Sequence, residues 1–310
     1  MSSLLDSLPR GARLSAIRLR SLGDCVLTTP ALALLKAHRP DLQLQVIVEP
    51  RFAALFEGNA DIDEISSDCG TVRGSAKRFH PDLIVNLHGG TRSMVMMALS
   101  GARIRTGFQH HRHSFLYSHK IPRAQEILCV ERPVHTAEHL ASAMFWLGVP
   151  PQEIPRAKLA AAPAANDFGP YAVLHPYALF PEKVWPAERF LEVARHLRDD
   201  RGLEPVFLAG PDDDTAPFGQ FRVLRNAPLA DVKSLMSGAS LFIGNDSGPA
   251  HIAAAFGVRV VVLFGPSDPV TWAPWRTESQ VLASPDDILR IQISHVIAAT
   301  EALREKKVSV

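Results

Sequence analysis

The chain has 310 residues, of which 46% are hydrophobic and 21% are charged, and its formal net charge is +1. This composition is typical of a globular protein, and the length leaves room for two domains of ordinary size. No apolar run reaches the roughly eighteen residues that span a bilayer, and the N-terminus lacks the apolar segment of a signal peptide. The three cysteines, Cys25, Cys69 and Cys129, are far apart and odd in number, which argues against a disulfide framework. We therefore expect a cytoplasmic protein.

Charge is divided unevenly between the two halves of the chain. Residues 1–165 carry a net charge of +5, whereas residues 166–310 carry −4. This division is either ordinary surface variation or a sign that the first half meets an anionic partner.

The first half alternates strands with helices. After a first strand, a turn at Ser21–Asp24 leads into a helix that ends near His38, and a later helix is closed by Gly148. Apolar patterns predict strands at Leu14–Arg20, Leu42–Val48, Ile62–Ile65, Asp82–Leu87 and Arg103–Phe108, and helices at Arg51–Glu57, Thr91–Leu99 and Thr136–Leu147.

A stretch rich in proline and alanine, from Pro150 to about Asp167, predicts a linker, and the same alternation restarts after it. The predicted strands are Tyr171–His175, Pro205–Leu208, Ser240–Ile243 and Val258–Phe264, and the predicted helices are Pro186–Asp199, Leu229–Ser237, an alanine-rich helix after Ser247 and a last helix over about 294–304. Strands that alternate with helices indicate parallel sheets. The sequence thus predicts two Rossmann-like domains with ligands in the cleft between them, at strand carboxyl ends.

The most informative turn lies within GNDSGPAHIAAAFG, which runs from Gly244 to Gly257. Ser247 can cap the following helix, Pro249 suits its first turn, and Gly248 allows close approach to the backbone. A helix N-terminus offers N–H groups and partial positive charge, which suit a diphosphate. The alternative is a well-capped helix that binds nothing.

Two other turns carry single charged residues at strand ends. Lys183 lies in a loop between two prolines, either as a solvated surface residue or near a bound anion. Asp24 is either the N-cap of the first helix or a general base that faces the cleft, and Gly23 before it leaves space for a substrate.

Several enzyme classes are disfavoured by missing motifs. No G-x-G-x-x-G follows either first strand, and neither a P-loop nor a G-x-S-x-G motif occurs. His135 to His139 match H-x-x-E-H, but short patterns recur by chance and two Rossmann-like domains are the wrong context, so we expect no metal site. We interpret His110 to His113 as a basic loop that is solvated or faces an acceptor.

Four stretches in this order together resemble glycosyltransferase family 9, the heptosyltransferases. They are IRLRSLGDCVLTTPALALLK, HPYALFPEKVWPAERF, FLAGPDDD and GNDSGPAHIAAAFGVRVVVLFGPSDPVTWAP, and they span residues 17–275. The resemblance implies a GT-B fold, an α/β architecture of two Rossmann-like domains with parallel sheets that face each other across a cleft. Residues 1–162 would bind the acceptor and residues 163–310 the donor, with the last helix able to pack back on the first domain.

The resemblance also implies roles for individual residues. Asp24 falls on the family's catalytic base and Lys183 on its donor-phosphate lysine. Beside these roles, the basic first half makes Arg92 and Arg112 our candidates for contacts with an anionic acceptor, next to the space left by Gly23. The donor would be bound by Asp246, by the helix start Ser247, Gly248, Pro249 and Ala250, by His251, and by Asp212 or its neighbour Asp213. Tyr177 stands where many members have glycine, so this residue and the adjacent Ala178 are expected to alter how the donor is held.

The implied reaction is inverting transfer of a sugar, typically heptose from an ADP-activated donor, to the lipopolysaccharide inner core or another anionic glycolipid. No cofactor or metal is expected, the inner membrane is an expected peripheral contact, and nucleic acid is not an expected partner. Three alternatives stay open: another donor or acceptor, epimerisation of a sugar nucleotide on the same fold, and nucleotide-sugar binding without catalysis.

Overall fold

The computed structural model describes residues 3–67 and 78–305, so Cys69 lies outside the described residues. The chain divides into two compact units, Met1–Ala160 and Ala161–Val310. Among the described residues, no helix combines the length and apolar character needed to cross a bilayer.

The described part of the first unit contains a parallel sheet of six strands in the order β3-β2-β1-β4-β5-β6. Helix α1 packs against α4, and the central strands β1 and β4 are buried almost throughout because helices follow both of them. The strands are β1 Arg13–Ile17, β2 Gln43–Ile47, β3 Glu64–Ser66, β4 Leu83–Asn86, β5 Ile104–Phe108 and β6 His119–Ile121, and the helices are α1 Leu22–His38, α2 Thr91–Leu99, α3 Ala124–Leu128 and α4 Thr136–Leu147.

The second unit has a parallel sheet of six strands in the order β12-β11-β10-β7-β8-β9. Helix α9 packs against α5, β11 and β12 of the same unit. The strands are β7 Tyr171–His175, β8 Glu204–Ala209, β9 Arg222–Arg225, β10 Leu241–Asn245, β11 Arg259–Phe264 and β12 Ser279–Ala283, and the helices are α5 Ala187–Arg201, α6 Leu229–Ser237, α7 Gly248–Ala255, α8 Pro269–Trp272 and α9 Ile293–Glu305.

The two units share one strand order, because the first strand of each lies between the second and the fourth. Strands before β4 are added on one side of β1 and later strands on the other, so the strand order reverses between the neighbours β1 and β4. The same reversal occurs between β7 and β10. Loops that leave two such strands separate to opposite faces and open a crevice at the carboxyl ends, where ligands of open α/β sheets bind.

The core of the second unit anchors the chain close to this crevice. Trp185 is fully buried, its ring lies edge-on to Phe190 at a centroid distance of 5.1 Å, and its Nε1 donates to the Ile291 carbonyl at 2.8 Å. Burial of such a side chain contributes roughly 1.5–3 kcal/mol. This anchor follows Lys183 by two residues, so the core fixes the end of the loop that carries the lysine.

Most predicted elements are confirmed, and Thr91–Leu99, Thr136–Leu147, Tyr171–His175 and Leu229–Ser237 have the predicted bounds. The prediction of a first strand to Arg20 is wrong at its end, because β1 stops at Ile17. The predicted helix over Arg51–Glu57 is a 3-10 helix, Pro50–Leu55. No apolar pattern predicts β6, β9 and β12, which are short outer strands with much exposed surface.

Candidate functional site

The donor-binding residues predicted from the sequence all lie beyond the carboxyl ends of β7, β8 and β10. These three strands are neighbours in the sheet, so the fold brings their loops to one edge. Tyr177, Ala178 and Lys183 follow β7, Asp212 follows β8, and residues 246–251 follow β10.

An ion pair joins two of these loops. Lys183 Nζ lies 2.9 Å from Asp246 Oδ2, and Ser267 Oγ donates to the same oxygen at 2.5 Å. The Lys183 side chain is 23% exposed and that of Asp246 is 9% exposed. Asp246 therefore faces Lys183 in the structure. An ammonium group has three N–H donors, so Lys183 retains donors for a ligand.

The backbone around Lys183 is held from two sides. Asn245 Oδ1 accepts from the Trp185 amide at 3.2 Å. Gly265, just beyond β11, packs against the backbone of Glu182. A Cβ at this glycine would lie 2.8 Å from the Glu182 carbonyl oxygen. Since real Cβ atoms do not approach so closely, any larger residue at this position would displace the turn that carries Lys183.

The start of α7 differs in detail from the prediction. Ser247 occupies the N-cap position, but its Oγ is bonded to His175 Nδ1 at 3.0 Å and caps no helix amide. Two of the four residues predicted at 247–250 cannot offer a backbone N–H to a diphosphate. Pro249 has no N–H, and the Ala250 N–H donates to the Ser247 carbonyl at 3.2 Å. The amides of Ser247 and Gly248 remain at the helix start, and His251 is buried one turn further on.

The loop after β8 is tied to the loop after β7. Tyr177 Oη donates to the Asp214 carbonyl at 2.8 Å, and its ring lies edge-on to Phe218. Burial, and then the nearby carboxylates, raise the pKa of Tyr177 to about 12. Asp213 closes its own turn by accepting from the Gly210 amide at 2.7 Å, whereas the neighbouring Asp212 is exposed. Asp212 is therefore the more accessible of the two alternatives.

In the first unit, Asp24 lies in the first turn of α1. The alternative that it is the N-cap is wrong, because Ser21 is the N-cap and Asp24 is the third helical residue. Its Oδ2 accepts from Ser21 Oγ at 2.8 Å and from the Ser21 amide at 3.2 Å, and its Oδ1 pairs with Arg18. Gly23 is buried in the same turn. Asp24 is thus oriented by three donors.

The two predicted acceptor arginines lie at the ends of other strands. Arg92 is the second residue of α2 and its side chain is 48% exposed, and its guanidinium lies 3.6 Å from Glu49 Oε1. Arg51 also contacts Glu49, at 2.9 Å, so the carboxylate is shared. Arg112 is exposed in the loop after β5.

His135 and Glu138 of the H-x-x-E-H stretch cap the N-terminus of a helix. His135 is the N-cap of α4, and its Nδ1 accepts from the Ala137 amide at 3.0 Å. Glu138 accepts from the His135 amide and pairs with Arg132 at 2.6 Å. Over residues 3–67 and 78–305, no three His, Cys, Asp or Glu side chains are grouped to hold a metal ion.

The chain also matches proteins of known family. Residues 75–288 match glycosyltransferase family 9 (heptosyltransferase). The chain belongs to glycosyltransferase family 9. It is therefore a glycosyltransferase, and its two parallel sheets form a GT-B fold.

Relatives of this glycosyltransferase include lipopolysaccharide heptosyltransferase 3 of Escherichia coli, which is 28% identical and aligns over 83% of this chain and 84% of that protein. Lipopolysaccharide heptosyltransferase 1 of Escherichia coli strain K12 is 22% identical and aligns over 83% of this chain and 89% of that protein. The crystal structure of a family 9 glycosyltransferase from Veillonella parvula DSM 2008 superposes with a TM-score of 0.83 at 23% identity, covering 95% of this chain and 97% of that one. The structure of E. coli heptosyltransferase WaaC with ADP superposes with a TM-score of 0.75 at 19% identity, covering 94% of this chain and 99% of that one.

The sequence of this glycosyltransferase did not predict the partners of Asp24 and Asp246, which are Arg18 and Ser267. Arg18, the partner of Asp24, is one of several arginines around the first strand, and Ser267, the second partner of Asp246, lies 21 residues after it. Neither residue belongs to a local pattern that distinguishes it, so only the fold identifies these contacts.

Burial of His175 predicts a pH-dependent stability for this glycosyltransferase. Burial lowers the pKa of His175 to about 4, whereas an unfolded histidine titrates near 6.5. Stability should therefore be complete above about pH 6.5 and decline towards pH 4, because only the unfolded chain takes up the proton, with a limiting slope of about 1.4 kcal/mol per pH unit. In thermal unfolding between pH 7 and 5, His175→Gln should show a weaker decline of the midpoint. The exposed His295→Gln should behave like the unsubstituted protein, and equal slopes in all three would contradict this assignment.

Proposed function

We propose that this glycosyltransferase moves heptose from an ADP-activated donor to an acceptor of the lipopolysaccharide inner core, with inversion at the anomeric carbon. The observation that carries the proposal is the Lys183–Asp246 pair beside the start of α7, in a family 9 chain. Its relatives, named as lipopolysaccharide heptosyltransferases, support the choice of sugar and acceptor.

The second unit would hold the donor through its diphosphate. Asp246 is already paired with Lys183 and Ser267, so its charge is compensated and a diphosphate can bind beside it. The remaining Lys183 donors and the amides of Ser247 and Gly248 would contact phosphate oxygens. As the bond between the anomeric carbon and the phosphate oxygen breaks, its electron pair leaves on the β-phosphate, and these donors stabilise that growing charge.

The first unit would supply the base. The acceptor hydroxyl forms the new bond to the anomeric carbon while Asp24 takes its proton. Arg18 and Ser21 fix the direction of the carboxylate before the acceptor arrives, so little reorganisation is needed at the moment of reaction. Arg92 and Arg112 would meet anionic groups of the acceptor, although Glu49 takes up part of the charge of Arg92.

Catalysis in this proposal uses no metal ion and no cofactor, since Lys183 and the helix amides meet the charge of the leaving group. A lipid-linked acceptor would bring the enzyme to the cytoplasmic face of the inner membrane as a peripheral protein. Asp212 and Tyr177 border the donor site, where they would influence which nucleotide sugar is accepted.

Replacing Asp24 by Asn tests the base. Asparagine can still accept from Ser21 but cannot take the acceptor's proton, so single-turnover transfer from ADP-heptose should fall by about 10²–10⁴-fold while donor affinity is unchanged. The assay contains EDTA and a lipopolysaccharide inner-core acceptor, and a parallel incubation without acceptor detects epimerisation.

Asp41→Asn is the matched control, because Asp41 also pairs with an arginine of the first unit, at 2.7 Å. It should transfer at the normal rate. Near-normal transfer by Asp24→Asn would remove Asp24 from the mechanism, and loss of all activity in EDTA would contradict metal-free catalysis.

Replacing Gly265 by Ala tests the placement of Lys183 without altering its charge. The new methyl group would collide with the Glu182 carbonyl, displace the turn and weaken ADP binding by about tenfold, which corresponds to about 1.4 kcal/mol. Calorimetric titration with ADP measures this change. Gly219→Ala is the control, since a Cβ there has only an ordinary 3.6 Å contact. Equal ADP affinity in both variants would show that the position of Lys183 does not matter for the donor.

A further inference from the structure

His175 makes a contact that the proposed mechanism does not use. It is the last residue of β7, and its Nδ1 lies 3.0 Å from the Oγ of Ser247, the N-cap residue of α7. The imidazole is held edge-on to the Tyr177 ring, with the ring centroids 5.9 Å apart. Burial lowers the pKa of His175 to about 4, so at neutral pH the ring has one donor nitrogen and one acceptor nitrogen.

Close approach of two strand ends brings these residues together. His175 is paired with Gly244 of β10, and Ser247 follows this glycine by three residues. A Cβ at Gly244 would lie 2.9 Å from the His175 carbonyl oxygen and 2.9 Å from the Phe242 ring. Since a side chain there would push the strand ends apart, glycine at this position allows Ser247 to reach the imidazole.

The contact turns the Ser247 hydroxyl away from the helix that it precedes. A serine at an N-cap ordinarily accepts from the second or third helical amide, and these positions are Pro249 and Ala250 in α7. Proline has no N–H, so Ala250 carries the one amide that the hydroxyl could cap. In the structure Ser247 Oγ makes no cap, and the Ala250 amide donates to the Ser247 carbonyl at 3.2 Å.

An oxygen in the capping position would compete with a bound anion. A capping hydroxyl and a phosphate oxygen are both attracted by the N–H groups and the partial positive charge at a helix start. Because Ser247 Oγ is bonded to His175 instead, its lone pairs do not occupy the place where an anion would bind. The histidine therefore decides which oxygen can meet the start of α7.

We propose that His175 is a positioning residue that holds the start of α7 uncapped for the donor diphosphate. It acts through Ser247 rather than by contact with the donor. The proposal rests on the proposed function in taking α7 as the diphosphate site, and it adds the reason why the N-cap hydroxyl leaves that site open. The alternative is a purely structural contact between the loops that follow β7 and β10.

Two amide substitutions separate the contact from the loss of the ring. The side-chain amide of asparagine lies where Nδ1 of histidine lies, so His175→Asn can keep the bond to Ser247. The glutamine amide extends to the position of Nε2, so His175→Gln releases the hydroxyl to cap Ala250. His175→Gln should bind ADP about fivefold more weakly, which corresponds to about 1 kcal/mol, the usual contribution of an N-cap, whereas His175→Asn should bind it normally.

Removing the hydroxyl tests whether His175 acts through it. Ser247→Ala leaves α7 without a capping oxygen, so ADP affinity should stay close to normal. In that background His175→Gln should cause no further loss, because no hydroxyl remains to be released. A purely structural contact predicts the opposite result, in which Ser247→Ala breaks the contact and weakens ADP binding as much as His175→Gln does.

Calorimetric titration of the full chain with ADP at about pH 7.5, where His175 is neutral, measures these variants, and circular dichroism checks that each is folded. His295→Gln is the matched control, since it is the same substitution at an exposed histidine of the same unit and should leave ADP affinity unchanged. His175→Leu serves if His175→Gln is unfolded, because leucine cannot hold the hydroxyl either. Ser247→Ala alone distinguishes the two explanations if neither variant folds.

The possible outcomes divide clearly. Weaker ADP binding by His175→Gln that disappears in the Ser247→Ala background supports the proposal. Equal ADP affinity in His175→Gln and the unsubstituted protein would overturn it, as would a fivefold loss in Ser247→Ala. If the unsubstituted protein bound no ADP at all, the proposed donor site would be wrong as well, so failure of the proposed function is distinguishable from failure of this inference alone.

Discussion

Parallel pairing of the first and fourth strands in each unit decides where the polar groups of the candidate site lie. Ile17 pairs with Asn86 in the first sheet, and His175 pairs with Gly244 in the second. The chain leaves both members of each pair at the same edge, so residues about 70 positions apart in sequence become neighbours. The contact between Arg18 and the Leu87 carbonyl is a direct result, because each residue follows the end of its strand.

The two units balance charge in different ways. In the second unit, Lys183 is already neutralised by Asp246, and Ser267 supports that carboxylate, so the site is stable without ligand and still offers N–H donors. In the first unit, Arg18 is already paired with Asp24, and burial lowers the pKa values of His111 and His139 to about 4, so these two imidazoles are neutral at neutral pH. The arrangement in the second unit suits a ligand of constant charge such as a diphosphate.

The sequence predicted what depends on local pattern and missed what depends on assembly. Helix Thr136–Leu147 was found because an apolar face ends at Gly148, whereas the outer strand Arg222–Arg225 is too exposed to show a pattern. Asp24 was recognised as important, but its capping partner Ser21 was not, since several residues of the turn suit that position. Contacts between distant loops, such as those of Arg18, need the strand order and could not be read from spacing.

We expect the diphosphate of the donor to bind where α7 begins and Lys183 meets Asp246. Hydrogen–deuterium exchange of the full chain with and without ADP can locate this binding, because exchange reports protection of individual backbone segments. We expect slower exchange at Ser247 and Gly248 and in the loop over residues 176–185 when ADP is bound. Protection confined to residues 3–160, with the start of α7 unchanged, would contradict it.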